Sequence, residues 1–314
     1  MSREKVSLLE MFGLSDLEKA KKDAAKAIFG KGKIPPSKFD LSSMNVFKPR
    51  IAIPTWLGIK QGGRKAPIYN FYNRVVAPKD EAFSVRVTYA RDFTGGQWTY
   101  DSHLGTDFAI PVGTRIVACA PGKVVWIARH LDHGGLKIFI DHGEGLITTY
   151  AHLSRALVEE GDVVGRGQSI ALSGAAGLEL ILFFPWVAPH LHLNVILNGA
   201  PVDPFALPGE APMWIGGNEP VPHTGAADSS FTPTAWNESL ISAAIADCSD
   251  AEERGCLESI QDIEKRALET IDYRMFYSTL FRSFPTVYEK KYERRPILDL
   301  PFSADDYDGA LLPR

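Results

Sequence analysis

Residues 121–152 read PGKVVWIARHLDHGGLKIFIDHGEGLITTYAH. Runs of apolar and β-branched residues recur in this stretch at Lys123–Ala128, Leu136–Asp141 and Leu146–His152, and glycine-containing turns lie between them. Strand-forming runs separated by short Gly-rich turns are typical of antiparallel strands joined by tight connections. The stretch therefore predicts the centre of a β-sheet core.

Working outward, the same pattern extends the predicted core over residues 81–208, with further strands at Phe83–Tyr89 and Arg115–Ala118. Residues 1–80 are predicted to form an N-terminal helix and an irregular arm. The helix begins at the capping box Ser15–Glu18 and ends at Gly30, and few regular elements are expected after it. The predicted fold class is a mainly β core of antiparallel sheets, preceded by this arm and followed by an α-helical region.

The C-terminal part of the chain is predicted as a Gly- and Pro-rich linker over residues 209–231, then a helical region with an extended tail over 232–314. One helix is predicted at Ala235–Asp247 and a second from the capping box Ser249–Glu252. The second predicted helix carries an apolar stripe at three- and four-residue steps: Cys256, Ile260, Ile263, Ala267, Ile271 and Met275. Such a stripe needs a partner surface.

Composition excludes several classes of protein. The 314 residues carry a formal net charge of -4, and the basic residues form no single stripe, so nucleic acid is not expected as a partner. The segment Met1–Phe12 lacks the apolar core of a secretory signal, and no window reaches the length of a transmembrane span. We expect a soluble polypeptide whose localisation stays open, with the cell envelope reached only if another export route exists. No chemistry is assigned to Cys119, Cys248 or Cys256.

Three polar clusters lie inside the predicted β core: His103-Leu-Gly-Thr-Asp107, Tyr150-Ala-His152-Leu-Ser154 and His190-Leu-His192. Because side chains alternate along a strand, His190 and His192 project to the same side. Gly105 permits a bend that lets His103 and Asp107 converge. Two imidazoles and one carboxylate, with water in the fourth position, are a suitable ligand set for an open zinc site.

In their order and context these clusters resemble the lysostaphin/LytM family of zinc metalloendopeptidases, which act on peptidoglycan. The resemblance covers about Tyr100 to Leu207 and includes Gly161-Asp162-Val163-Val164 and Pro201-Val202-Asp203-Pro204. It implies a LytM-like β fold, with one zinc ion per chain bound by three ligands and two catalytic histidines. The implied metal ligands are His103, Asp107 and His192, and the implied catalytic residues are His152 and His190.

Two functions of different classes follow. The first is a zinc-dependent endopeptidase that hydrolyses peptide bonds in peptidoglycan cross-links or stem peptides. The alternative is a non-catalytic LytM-like regulator or binding module for a cell-wall hydrolase or another partner. The presence of all three implied metal ligands and both implied catalytic histidines favours the enzyme. The sequence does not define the cleaved bond, the oligomeric state or the separate roles of His152 and His190. The alternative for these two histidines is that they only orient the metal ligands.

The chain departs from the family pattern at Leu178–Ala188, which is longer and more apolar than the polar loop of relatives. Burial of this apolar loop under the stripe Ile260, Ile263, Ala267 and Ile271 is predicted, because burying each large side chain contributes about 1.5 to 3 kcal/mol. The alternative is an exposed apolar lip beside the cleft, which would be a binding surface. The other four histidines are expected to be solvated or hydrogen-bonded to backbone: His130, His133, His142 and His223.

Overall fold

The computed structural model describes residues 4–37, 41–74, 103–225, 231–281, 283 and 285–312. The strand predicted at Phe83–Tyr89 lies outside these ranges. Within them, the chain forms the following strands: β1 (Lys65–Asn70), β2 (Thr106–Ala109), β3 (Arg115–Val117), β4 (Gly122–His130), β5 (Gly135–Asp141), β6 (Leu146–Ala156), β7 (Val163–Val164), β8 (Ser169–Ser173), β9 (His190–Leu197), β10 (Ala200–Val202) and β11 (Gly309–Leu311).

These strands form one sheet in the order β11-β1-β2-β9-β6-β5-β4-β7, with β10 beside β9, and β8 paired to both β3 and β6. All pairs are antiparallel except β1 with β11, which run parallel. The mainly β core, with its N-terminal arm and C-terminal helices, is confirmed. Its edge includes strands from both flanking regions, since β1 precedes and β11 follows the segment predicted as the core.

The helices of the described ranges are α1 (Leu8–Met11), α2 (Leu17–Phe29), α3 (Pro49–Trp56), α4 (Leu178–Leu182), α5 (Glu238–Ala246), α6 (Ala251–Glu258) and α7 (Ile263–Phe276), with 3-10 turns at Leu41–Val46 and Ser278–Leu280. None of them has the length and apolar character that crossing a membrane requires. Helix α2 is capped by Asp16, whose side chain accepts from Lys19 N, and not by the predicted Ser15. The arm after Gly30 contains α3 and β1, which is more regular structure than its composition predicts.

The single long helix predicted after Ser249 is wrong, because two helices occupy that segment. Asp250 caps α6, and Asp262 caps α7 by accepting from Lys265 N at 2.7 Å. The Asp262 cap starts a new helix in the middle of the apolar stripe. Buried residues of α5 and α7 pack with Val125, Phe139 and Ile196, so the partner surface of the stripe is one face of the sheet.

The predicted cover of the apolar loop Leu178–Ala188 is also wrong. Leu180, Val187 and Ala188 pack with residues of the N-terminal arm, including Val46 and Ala52. The arm is tied to the loop by backbone contacts, since Trp186 O accepts from Lys48 N at 3.1 Å and Val187 O accepts from the Trp56 indole at 2.9 Å. The apolar stripe cannot cover the loop, because the stripe is itself buried against one face of the sheet.

Candidate metal centre

Strands β2, β9 and β6 lie side by side and bring the three polar clusters together. Asp107 on β2 lies directly opposite His192 on β9, and His192 lies opposite Ala151 on β6, next to His152. His190 follows on the same face of β9, as the alternation of side chains predicts. Residues far apart in the sequence therefore meet because three strands are neighbours in the sheet.

The side chains of three residues form a compact triangle of donor groups at this point, with the Asp107 carboxylate as one corner and two imidazole nitrogens as the others. His103 Nε2 lies 3.0 Å from Asp107 Oδ2 and 3.2 Å from His192 Nδ1, and His192 Nδ1 lies 2.7 Å from Asp107 Oδ1. All three residues are buried. Donor atoms this close can all be reached from one point by bonds of about 2.0 to 2.2 Å, the usual length for zinc with nitrogen and oxygen ligands.

The surroundings prepare two of these donors for a cation. His103 Nδ1 donates to the Phe71 carbonyl at 2.6 Å, which leaves the Nε2 lone pair facing the triangle. Asp107 is fully buried, and although burial raises the pKa of its carboxyl group, the nearby His103 and His190 lower this pKa well below its usual range. Asp107 is therefore a carboxylate, and Asn70 donates to its Oδ2 at 2.8 Å.

The third donor, His192, depends on its neighbour Asn194. The Asn194 amide nitrogen lies 2.9 Å from His192 Nε2, while Asn194 Oδ1 is buried without a hydrogen-bond partner in the described part of the chain. A cation on His192 Nδ1 requires the ring proton on Nε2. Rotation of the amide would let this unpaired oxygen accept that proton, in exchange for the 2.8 Å hydrogen bond that the amide nitrogen donates to the Leu104 carbonyl. Two imidazole nitrogens and one carboxylate are a donor set that fits a metal ion.

Gly105 provides space for His192. A Cβ atom at this position would lie 2.6 Å from His192 Nε2 and 2.7 Å from the Leu193 carbonyl oxygen. From the sequence, a bend between His103 and Asp107 was the predicted reason for Gly105. In the structure, the reason is the close approach of the His192 ring to the backbone at this position.

His152 and His190 lie beside the triangle, with ring centroids 4.6 Å apart. Each is oriented by its backbone contact, since His152 Nδ1 donates to the Ala176 carbonyl and His190 Nδ1 to the Ala188 carbonyl, both at 2.8 Å. This leaves both Nε2 atoms facing a cleft between the β core, the apolar loop, the N-terminal arm and α7. His190 Nε2 lies 3.6 Å from Asp107 Oδ1. Burial lowers the pKa of His152 well below its usual range, so this ring is a neutral proton acceptor.

The N-terminal arm contributes to the site, which the sequence did not predict. Besides Asn70 and Phe71, Tyr69 stacks on His190 with ring centroids 6.0 Å apart, and Lys48 Nζ donates to the Tyr69 carbonyl at 2.7 Å. The arm lies outside the region of resemblance, so only a local signal was available. That signal is the polar Asn70 among the apolar and aromatic residues of β1.

A second group of donors is formed by His130, His133 and Asp272, and His133 lines the cleft beside the metal centre. Lys137 Nζ donates to both oxygens of Asp272 at 2.7 Å, and His133 contacts Asp132 at 2.9 Å. An ammonium group already neutralises the shared carboxylate, so this group is a buried ion network that ties α7 to the β4–β5 hairpin. The prediction that His130 and His133 are solvated or hydrogen-bonded to backbone is wrong, because both rings contact carboxylate groups of this network.

The remaining two histidines, His142 and His223, and the three cysteines lie outside both donor groups. His142 has the predicted backbone contact, at 2.8 Å from the Pro121 carbonyl, and His223 lies 3.4 Å from Asp299. All three cysteines are free thiols.

Comparison with known proteins identifies the segment that carries these residues. Residues 101–204 match Peptidase family M23. They form a peptidase M23 domain. The chain is 40% identical over 111 residues to peptidoglycan DD-endopeptidase ShyA of Vibrio cholerae, covering 35% of this chain and 24% of that protein. The chain is 36% identical over 109 residues to DD-carboxypeptidase/endopeptidase Mpg of Neisseria meningitidis, covering 35% of this chain and 23% of that protein.

This chain thus spans about a quarter of the length of these curated relatives. Among solved structures, the catalytic domain of the antimicrobial peptidase lysostaphin from Staphylococcus simulans is 32% identical, with a TM-score of 0.29 over 36% of this chain and 79% of that one. The match of residues 101–204 to Peptidase family M23 confirms, for that segment, the family resemblance inferred from the sequence clusters.

Proposed function

We propose that this chain is a zinc-dependent endopeptidase that hydrolyses peptide bonds in peptidoglycan cross-links or stem peptides, at the cell envelope. The observation that carries the proposal is the triangle of His103 Nε2, Asp107 and His192 Nδ1, with edges of 2.7 to 3.2 Å, beside two further imidazoles. The M23 match and the relatives named as peptidoglycan endopeptidases support the same assignment.

His103, Asp107 and His192 would hold one zinc ion per chain. Bound there, zinc would supply a Lewis acid that polarises a carbonyl group and lowers the pKa of water. The buried Asp107 carboxylate offsets one of the two cationic charges, and the two imidazoles are neutral donors. Three protein ligands leave a coordination position for water or substrate.

The pair His152 and His190 would move the proton. Hydrolysis takes one proton from water and gives one to the leaving amine, and both Nε2 atoms lie on the cleft side with their rings held by backbone carbonyls. We assign proton acceptance to the pair, because His152 is kept neutral by burial and His190 lies within 3.6 Å of the Asp107 carboxylate. A protonated ring of the pair would stabilise the oxyanion.

The cleft favours a thin substrate. Its walls come from the β core, the apolar loop, the N-terminal arm and α7, and the five site residues are each exposed by 9% or less. An extended peptide fits such a cleft, whereas a folded domain does not. A non-catalytic regulator is less well supported, since it would not need a complete donor set together with two oriented histidines.

The experiment is digestion of purified peptidoglycan by the zinc-loaded protein, with identification of the new amino termini by mass spectrometry. New amino termini at cross-links or stem peptides are expected, and chelation should abolish them. His103→Ala is the matched inactive control. Intact peptidoglycan in the presence of stoichiometric zinc would contradict the proposal and favour the regulator.

A further inference from the structure

The apolar loop presents two sets of side chains along residues 181–186. Phe183 lines the cleft, and it alternates with Leu182, Phe184 and Trp186, whose exposed fractions are 50%, 51% and 46%. Large apolar side chains with about half of their surface in water protrude from the protein instead of filling its core. The loop is therefore a wall of the cleft and an exposed apolar surface at the same time.

Two elements of the N-terminal arm extend this surface. Phe184 packs edge-on against Trp56 of α3 and against Phe12 at the end of α1, with ring centroids 4.8 and 6.0 Å apart. Leu57 directly follows Trp56, and Leu8 lies one helical turn before Phe12; each is 71% exposed. An aromatic cluster thus joins the exposed side chains of three separate segments. We call this surface the apolar face, and its exposed members are Leu8, Ile53, Leu57, Leu182, Phe184 and Trp186.

The charges beside the apolar face are basic. Helix α3 and its C-terminal cap expose Arg50, Ile53 and Leu57 along one side, because these residues are three and four positions apart. No carboxylate in the described part of the chain pairs with Arg50. Residues 41–79 contain seven Lys or Arg and no Asp or Glu, although three of these basic side chains pair with carboxylates elsewhere in the chain. The face therefore has a cationic border in a chain whose net charge is -4.

The acidic side chains at the α1 end of the face are neutralised by the sheet. Glu10 accepts from Arg155 at 2.9 Å. Glu4 accepts from Arg115 at 2.6 Å. An anionic surface that approaches Arg50 is therefore not repelled by unpaired carboxylates at this end of the face.

We propose that the apolar face binds the surface of an anionic lipid bilayer, with Phe184 and Trp186 between the headgroups and the acyl chains. Protruding apolar side chains enter hydrocarbon without a shaped counterpart, whereas a protein partner has to match their outline. Tryptophan suits this interface because its ring is apolar and its indole N–H is polar. Arg50, on the same side as Ile53 and Leu57, attracts anionic headgroups.

Binding in this way would hold the mouth of the cleft close to the bilayer. Phe183 and Val187 line the cleft, and their chain neighbours Phe184 and Trp186 belong to the apolar face. If the chain is the proposed peptidase, its substrate is then the peptide that lies next to a membrane. The binding itself requires neither zinc nor peptidase activity, so the two proposals can fail separately.

The test is cosedimentation of the chain with vesicles of equal parts phosphatidylglycerol and phosphatidylcholine. We expect binding to these vesicles, and weaker binding to phosphatidylcholine alone and at high salt. Leu57→Ser and Trp186→Ser should each weaken binding by about 10-fold, since each removes a large apolar side chain from the bilayer. Arg50→Gln should weaken it by about fivefold. Val163→Ser is the matched control, because Val163 is also 71% exposed but lies on β7, at the opposite end of the sheet from β1.

A second measurement locates the contact without disturbing the apolar character of the face. Tryptophan emission should shift to shorter wavelength when the mixed vesicles are added, and acyl chains that carry bromine should quench it. Trp186→Phe should lose most of both changes and still sediment with the vesicles, since phenylalanine keeps a large apolar side chain at this position.

The outcomes separate the possible occupants of the face. A wild type that does not sediment with the mixed vesicles would overturn the inference, and so would equal binding by Leu57→Ser, Trp186→Ser and the control. A dimer in analytical ultracentrifugation that Leu57→Ser dissociates, without vesicle binding, would assign the face to a second copy of the chain. Vesicle binding by a protein that leaves peptidoglycan intact would contradict the peptidase function and support the apolar face.

Discussion

Gly105→Ala is a test of the metal centre that removes no polar group. The added Cβ would lie 2.6 Å from His192 Nε2, 2.8 Å from its Cε1 and 2.7 Å from the Leu193 carbonyl oxygen. These contacts are about 1 Å shorter than van der Waals separation, so the ring must move by a comparable amount. Overpacking of this kind costs about 1 to 3 kcal/mol of unfolding free energy.

The displaced ring also carries Nδ1 out of the donor triangle. We expect zinc affinity to fall by about 10- to 100-fold, the usual effect of disturbing the support of a metal ligand. Competition with a chelating dye measures the affinity, and urea unfolding measures stability. Gly165→Ala is the matched control, because nothing lies within 4 Å of a Cβ at that position. Unchanged zinc affinity in Gly105→Ala, equal to the control, would refute the reasoning.

Three further predictions follow from the site and the core. Asp107→Ala and His192→Ala should each lose the single bound zinc in metal analysis, and full occupancy in either would remove that residue from the ligand set. His152→Ala should keep the zinc while turnover falls by a factor of about 100 to 1000, whereas release of the metal would contradict its catalytic role. Burial lowers the pKa of His142 to about 4, so the unfolded chain binds the extra proton below pH 6.5 and stability falls between pH 6.5 and 4. His142→Gln should reduce that fall by about 3 kcal/mol in urea unfolding at the two pH values, and an equal fall in both proteins would show that His142 is not responsible.

Strand positions in the core could be predicted because each buried run is bounded by turn residues. The runs at Leu136–Asp141 and Leu146–His152 became β5 and β6 with small changes at the ends. The clustering of His103, Asp107 and His192 could be predicted for a different reason, since the order of the motifs resembles one family. Their roles as ligands stay a prediction.

Other features depend on tertiary contacts that no local pattern encodes. Asp262 is one polar residue in a helical pattern, and only its bond to Lys265 N shows that it begins a new helix. The apolar loop could have been covered by any apolar surface of the chain, and a choice between the arm and the α7 stripe requires knowledge of which face the sheet already buries. Asn70 was missed because it is a single polar residue in an apolar stretch.

The hydrogen bonds between the arm and His103 have a thermodynamic consequence. Phe71 accepts from His103 Nδ1, and Asn73 N donates to the His103 carbonyl at 2.6 Å. When this segment of the arm packs against the core, it therefore also fixes the orientation of the His103 ring. Thermodynamic linkage makes the effect reciprocal. If the packed segment strengthens cation binding by a given free energy, the bound cation stabilises the packing of the segment by the same free energy. A fragment cut at residues 101 and 204, the bounds of the M23 match, would lack this coupling and bind its metal more weakly than the full chain.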